Sequence, residues 1–306
     1  MVTLKELTKE ELFTSGHRLC EGCGEGTITR MTMKALRGPT IVVSATGCLE
    51  VASTIYPYTS WRTPWVHVAF ENAAAVASGI EAAYKALARR KAWDKHVDVI
   101  AIAGDGGTFD IGIQALSGAL ERGHDFLYVC IDNEAYMNTG IQRSGATPHG
   151  AATTTSPAGK KIPGKPEFKK DLIGICAAHG IEYAATASPA YWNDYITKLR
   201  KGLEVEGPAV IHTFSPCPLG MRHDSDKSIE VARLAVQTRY WPVYEVEKGK
   251  YKLNIKVTKP RPVIDFLKMQ GRFGHLFQPQ FQHEIDVIQQ WVDENWKRVT
   301  ELCGES

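Results

Sequence analysis

From about residue 40 to residue 240, short runs of Val, Ile and Ala alternate with amphipathic segments, and that alternation admits few folds. Strands that are apolar at consecutive positions are covered on both faces, as parallel strands are, and the segments between them have helical spacing. Strands are expected at Thr40–Ser44, Val97–Ala103, Phe126–Asp132, Ile181–Ala185 and Ala209–Phe214, with a late strand at Lys250–Val257. Helices are expected at Glu71–Arg90, Asp110–Arg122, Lys169–His179, Pro189–Leu203 and Asp226–Thr238, and a final one at Pro279–Leu302. The fold class is α/β, with a mostly parallel central sheet and helices on both faces.

Two of these strands end in residues that bind cations. Val97–Ala103 runs into Gly104-Asp105-Gly106-Gly107, and Phe126–Asp132 runs into Asn133. A strand–helix–strand unit returns the chain parallel to itself, so Asp105 and Asn133 fall at carboxyl ends of strands, where open α/β sheets bind ligands. Mg²⁺ takes oxygen ligands in an octahedron, some from protein and some from phosphate. Asp105 offers a carboxylate, Asn133 an amide oxygen and Ala135 a carbonyl, while the glycines let the backbone approach a diphosphate. An isolated Asp-Gly would be an ordinary turn; the Asn at the next strand end argues for more. The spacing resembles the thiamine-diphosphate motif, which opens Gly-Asp-Gly and closes on Asn. A nicotinamide fingerprint is rejected, because its third glycine is not in place.

The seven cysteines are odd in number and widely spaced, which argues against a disulfide framework. Cys20-Glu21-Gly22-Cys23 is a C-x-x-C pair; Cys48 follows one strand and Cys217, between prolines, follows another. A pair plus two distant cysteines binds either Zn²⁺ or a [4Fe–4S] cluster, and the 2+1+1 pattern suits the cluster somewhat better. Cys130 and Cys176 read as core residues, and Cys303 has no evident role.

Thr139–Pro166 is rich in Gly, Thr, Ser and Pro and has no periodicity; a stretch this long inside a compact domain is read as functional. His17 and His67 lie near the two constellations, but a His on a partly buried element more often keeps a structural hydrogen bond. Glu71 reads as a helix-terminal carboxylate and Glu50 has no assigned role. The Trp residues and the late aromatic stretch suggest a contact surface. A formal charge of +2 advertises neither nucleic acid nor an anionic membrane, and no apolar run of spanning length occurs. The first residues are charged and unlike a signal peptide, so the cytoplasm is the expected compartment.

Several stretches, in order, resemble one family. They are Gly16-His17 through Cys23-Gly24, Ala45-Thr46-Gly47-Cys48-Leu49-Glu50, and Trp65 through Ala73. Gly104 through Thr108, Asp132-Asn133-Glu134-Ala135-Tyr136-Met137-Asn138-Thr139-Gly140, and Ser215-Pro216-Cys217-Pro218 complete them. The chain is similar to the 2-oxoacid:ferredoxin oxidoreductases, in particular their thiamine-diphosphate-binding beta subunit of the pyruvate type, over most of its length. The resemblance implies a thiamine-diphosphate-binding fold, with one domain over 1–306 carrying a cluster-binding segment (about 1–50) and a C-terminal extension (about 240–306). It implies that Cys20, Cys23, Cys48 and Cys217 hold a [4Fe–4S] cluster, and that Asp105, Asn133 and the Ala135 carbonyl hold Mg²⁺. Thr46, Gly47, Gly104, Gly106, Gly107, Asn133, Ala135, Asn138 and Thr139 would line thiamine diphosphate, with Asn138 reaching the thiazolium and substrate as the catalytic residue.

The implied reaction is oxidative decarboxylation of a 2-oxoacid, pyruvate first, with coenzyme A taking the acyl group and ferredoxin the electrons, reversibly. The implied partners are an alpha subunit and gamma and delta subunits or fused equivalents. The glutamate that activates the aminopyrimidine lies on a partner, so this chain alone is expected to bind cofactor poorly and not to turn over. Oxalate without coenzyme A, 2-oxoglutarate and branched-chain acids stand as alternative substrates. Glu21, His149 and Met221 depart from the family pattern; the last two are expected near the active site or a partner surface. A non-redox thiamine-diphosphate decarboxylase or synthase, and a zinc-bearing scaffold, are the rival readings.

Overall fold

A computed structural model describes residues 2–305 of the chain. The strands are β1 (Thr40–Ala45), β2 (Trp65–Val68), β3 (Asp98–Gly104), β4 (Leu127–Asp132), β5 (Tyr183–Ala187), β6 (Ala209–Phe214), β7 (Tyr244–Glu247) and β8 (Lys250–Leu253). Among the described residues they form one sheet in the order β2-β1-β3-β4-β6-β5-β7-β8. Strands β1 to β6 run parallel, and β7 and β8 add an antiparallel edge.

Alternation along each strand feeds two cores, as the period-2 pleat requires. Ile100 and Ile102 of β3 face a layer containing Ile28 and Met33 of helix Gly24–Ala35 and Tyr195 and Leu199 of helix Trp192–Glu204. Val99, Ala101 and Ala103 face the other side, with Ala74 and Ala77 of helix Ala73–Arg89 and Leu116 of helix Ile113–Glu121. Cys130 and Cys176 are fully buried here, as packing residues are. A third core gathers helices Ser228–Gln237, Val263–Lys268 and His283–Leu302.

Several expectations are corrected. The late strand stops at Leu253, because the amides of Asn254 and Ile255 both turn onto the Val243 carbonyl and end the ladder. It pairs with β7 through a two-residue hairpin at Lys248 (φ 51) and Gly249 (φ 74). The final helix begins at His283, since residues 279–282 are turns, and the helix expected at Lys169–His179 is the shorter Leu172–Ala177. Helix Gly24–Ala35 and the short strands β2 and β7 were not expected. Of the late aromatic residues, Phe266, Phe273 and Phe281 are buried in the third core, while Phe277 is exposed.

Candidate active site

The chain leaves β1 towards β2 on one side and returns to β3 on the other, so the loops after β1 and β3 diverge. A crevice at such a switch point is where open α/β sheets hold ligands. An open cleft lies there, with ≈ 530 Å³ of space including its solvent-filled mouth, lined mainly by the loops after β1, β3 and β4.

The loop after β3 begins with Asp105, which leads directly into a π-helical turn, Gly106–Ile111, pinned by Thr108 Oγ1 donating to the Gly104 carbonyl at 2.7 Å. Wide turns of this kind recur at functional sites. Asp105 is 1% exposed, and its carboxylate accepts from Ser144 Oγ. Burial, and next the charge on Asp132, push its carboxyl well above the ordinary range. Gly106 lies against the Tyr136 ring, and a Cβ on Gly107 would stand 2.8 Å from the Phe70 carbonyl oxygen, so this floor admits no side chain.

The loop after β4 presents Asn133. Its Nδ2 donates to Glu25 Oε1 at 3.0 Å, and its Oδ1 is buried with no partner in the chain. Glu134 follows with φ 68, a left-handed conformation that turns its side chain back into the protein. There it meets Lys169 at 2.7 Å, Tyr240 Oη at 2.7 Å and Arg272. Burial opposes the charges on Asp132 and Glu134, but Lys169, with His212 for the first and Arg272 for the second, holds both carboxyls below the usual range. Asn133 and Ala135 thereby line the cleft on either side of a residue anchored behind it. A buried carboxyl without a cation and a partnerless amide oxygen on adjacent strand ends fit a divalent metal ion, which would neutralise one and be ligated by the other.

Residues 136–142 close on themselves: the Tyr136 amide donates to the Gln142 carbonyl at 2.9 Å, and Thr139 Oγ1 donates to Gln142 Oε1 at 2.6 Å. This turn holds Met137, Asn138 and Thr139 over the cleft, whose lining also includes Thr46, Gly47, Cys48, Gly104, Gly106 and Gly107. Every residue expected to hold the diphosphate and its metal therefore lines one cleft.

The four expected cluster cysteines lie in neighbouring loops, and Cys48 lines the cleft. Cys48 opens the short helix Cys48–Ser53 after β1, and Cys217 caps Pro218–Met221 after β6, its sulfur accepting from the Gly220 amide at 3.4 Å. The Gly24 amide donates to the Pro216 carbonyl at 2.9 Å, tying the Cys20–Cys23 turn to the Cys217 loop. Burial, and then the charge of Glu25, push Cys48 up to about 12; burial pushes Cys217 up to about 11; Cys23 is driven higher still. The thiols also raise one another, Cys23 feeling Cys217 and Cys48, and Cys48 and Cys217 each feeling Cys20. Such thiols are poor nucleophiles and need a nearby positive centre to ionise, which suits metal ligands better than attacking groups. Among the described residues, no group of three or more His, Cys, Asp and Glu side chains is gathered so as to hold a single metal ion.

The histidines keep local partners. His67 Nε2 lies 2.6 Å from Thr46 Oγ1 at the cleft mouth, and His17 stacks on Phe13 outside the cleft lining. His149 is bound between the Pro166 carbonyl and Glu284, each at 2.7 Å, and Met221 is buried in the third core. Neither lines the cleft itself, since the segment that carries each is folded into the C-terminal packing; Gly220, next to Met221, nevertheless lies against Met137 of the cleft wall. Sequence reasoning missed Glu25, Tyr136 and Ser144. A charged residue between the two glycines that follow Cys23 was the available signal for Glu25; nothing local marked the other two.

Residues 45–213 match the family model of the thiamine pyrophosphate enzyme, C-terminal TPP binding domain. Pyruvate synthase subunit PorB of Methanocaldococcus jannaschii is 54% identical over 95% of this chain and 97% of its own. Ketoisovalerate oxidoreductase subunit VorB of Pyrococcus abyssi is 49% identical over 96% of this chain and 94% of its own. Among solved structures, the 2-oxoglutarate:ferredoxin oxidoreductase from Magnetococcus marinus, with 2-oxoglutarate, coenzyme A and succinyl-CoA bound, aligns with TM-score 0.55 and 25% identity. The alignment covers 76% of this chain and 84% of that one.

Proposed function

The chain belongs to the family of thiamine-diphosphate-binding beta subunits of 2-oxoacid:ferredoxin oxidoreductases, and from that premise we propose that it serves the coenzyme-A-dependent, reversible oxidative decarboxylation of pyruvate. Asp105 and Asn133 through their side chains, and Ala135 through its carbonyl, hold Mg²⁺ against the diphosphate. Gly104, Gly106 and Gly107 give the backbone access to it, and Thr46, Gly47, Asn138 and Thr139 line the rest of the cofactor. Cys20, Cys23, Cys48 and Cys217 hold a [4Fe–4S] cluster. When bound, thiamine diphosphate supplies an electron sink for decarboxylation and the cluster takes electrons one at a time. Asn138 orients the substrate over the cleft.

The observation that carries this reading is a shared wall: Cys48 itself lines the cleft beside Asn138, and its thiol lies close enough to Cys20, Cys23 and Cys217 to feel their charges. A cofactor pocket and a four-thiol group joined through one side chain serve electron transfer, and neither a non-redox decarboxylase nor a zinc scaffold needs that junction. The chain is one subunit of a multi-subunit enzyme; ferredoxin, reached through partner subunits, takes the electrons, and the cytoplasm is the compartment. Among the described residues no helix is long and apolar enough to cross a membrane.

Cys217→Ser is the first test. Serine keeps the cap on the Gly220 amide but is a poor cluster ligand. The anaerobically purified complex is expected to lose the roughly four iron atoms of one cubane from this chain while keeping magnesium-dependent thiamine diphosphate binding. Unchanged iron would reject the ligand set. The substrate is tested by following ferredoxin reduction with pyruvate, 2-oxoisovalerate, 2-oxoglutarate and oxalate. The VorB relative makes 2-oxoisovalerate the main competitor. A kcat/KM for pyruvate at least about tenfold above each is expected, the discrimination that a methylene or two in a pocket supplies.

A further inference from the structure

An Asn side chain can ligate Mg²⁺ only through its oxygen, yet its amide fits a slot equally well either way round. Turned by half a rotation, Asn133 would aim two N–H groups at the cation and remove a ligand. Something must set that orientation before the metal arrives. Glu25 is 5% exposed, stands at the start of helix Gly24–Ala35, and is the residue whose Oε1 accepts from Asn133 Nδ2 at 3.0 Å. That hydrogen bond engages the nitrogen end of the amide and turns the oxygen end away from Glu25. With Nδ2 held there, Asn133 Oδ1 is left on the far side, buried and without a donor from the chain. Glu25 also lines the cleft, so it and the amide share the space that the cofactor enters.

We propose that Glu25 is a positioning residue that fixes the amide of Asn133 with its oxygen towards the Mg²⁺–diphosphate and so sets the metal affinity of the site. The inference rests on the proposed metal site at Asp105 and Asn133. It adds that the segment bearing Cys20 and Cys23 also supplies the outer support of the metal, so the two prosthetic groups are organised by one turn of chain.

The test uses the assembled anaerobic complex, stripped of thiamine diphosphate and Mg²⁺, with binding of thiamine diphosphate followed calorimetrically across a magnesium titration. Outer-shell partners typically govern roughly 10- to 100-fold in metal affinity. Glu25→Met, close in size and without an acceptor, is expected to weaken magnesium-dependent binding by about that factor. Glu25→Gln, which can accept but can also donate, is expected to fall between Met and wild type. In an Asn133→Asp background both side-chain oxygens of the substituted residue are equivalent and no orientation is needed, while Glu25 faces a second carboxyl, so Glu25→Met is expected to cost nothing further or to tighten binding. Iron content per chain reports whether the local fold survives. Should Glu25→Met fail to assemble, the comparison of Glu25→Gln with and without Asn133→Asp carries the same contrast. Equal losses in both backgrounds, or no loss with either variant, overturn the proposal. Asp105→Asn separates the premise: if that variant binds as wild type, the metal site itself is misassigned, whereas loss there with no effect at Glu25 rejects only the positioning role.

Discussion

Asp105→Asn is expected to abolish magnesium-dependent thiamine diphosphate binding while making the cofactor-free chain more stable. The carboxyl is almost fully buried, has Ser144 as its hydrogen-bond donor, and lies in the field of Asp132. In the metal-free chain its charge is therefore a liability, and an amide of the same shape removes it. The sign with pH follows. A carboxyl raised above its unfolded value contributes stability below the unfolded value and loses it as pH rises through the folded one. The cofactor-free wild type is thus expected to lose stability from this group between acid and neutral pH, and the Asn variant to lack that slope. Asp132, held below its ordinary range, contributes in the opposite sense in both proteins and loses its share as pH falls. Differential scanning calorimetry near pH 5 and pH 8, with and without Mg²⁺ and cofactor, reads both effects. A gain of order 1 kcal/mol raises Tm by roughly 2–4 °C in a large domain. Loss of a direct ligand is expected to exceed the roughly 10- to 100-fold cost of outer-shell changes. A variant that binds cofactor normally, or melts earlier without it, would contradict this account.

Glu134→Gln is expected to destabilise the protein by about 3–5 kcal/mol, the usual penalty for breaking a buried charge network by removing one member. Lys169 and Arg272 both lean on this carboxylate, and Tyr240 donates to it. After the change Lys169 retains Asp132 and Arg272 retains Gln270, so one negative charge would face two buried positive ones. At roughly 2–4 °C per kcal/mol, Tm should fall by about 10 °C. The loop that offers Asn133 and Ala135 is anchored through this residue, so cofactor affinity should fall with it. A urea melt paired with a binding titration checks both; a shift under about 1 kcal/mol would mean the network is not what holds the loop.

The sequence exposed the sheet where its strands are long and apolar. β1, β3, β4, β5 and β6 are covered on both faces and announce themselves; β2 and β7 are four residues each, and β7 alternates Tyr and Val with Glu. Glu245 on β7 is buried, and its charge is met by Lys201 and Lys252, partners far from β7 or across the hairpin. Helix Gly24–Ala35 was hidden because it opens Gly-Glu-Gly-Thr, whose two glycines and threonine are poor helix formers that tertiary packing recruits. The proposed cation-binding residues were legible because Asp105 and Asn133 lie at the ends of strands that could be read. What supports them was not. Thr139–Pro166 has no period, yet it supplies Ser144 to Asp105, and Thr147 Oγ1 to the Glu134 carbonyl at 2.6 Å. Those contacts depend on where a loop returns in space, and no local spacing encodes that.

Cys20 and Cys23 emerge early in synthesis, whereas the strand that brings Cys217 beside them comes after most of the sheet has been translated. Closing so long a segment is entropically costly and is rewarded only when the intervening strands have paired. On the proposed ligand set, a nascent or truncated chain therefore offers iron a lone C-x-x-C pair and no cage. Metallation becomes a proofreading step, in which colour reports that the backbone bond from Gly24 to Pro216 has been made.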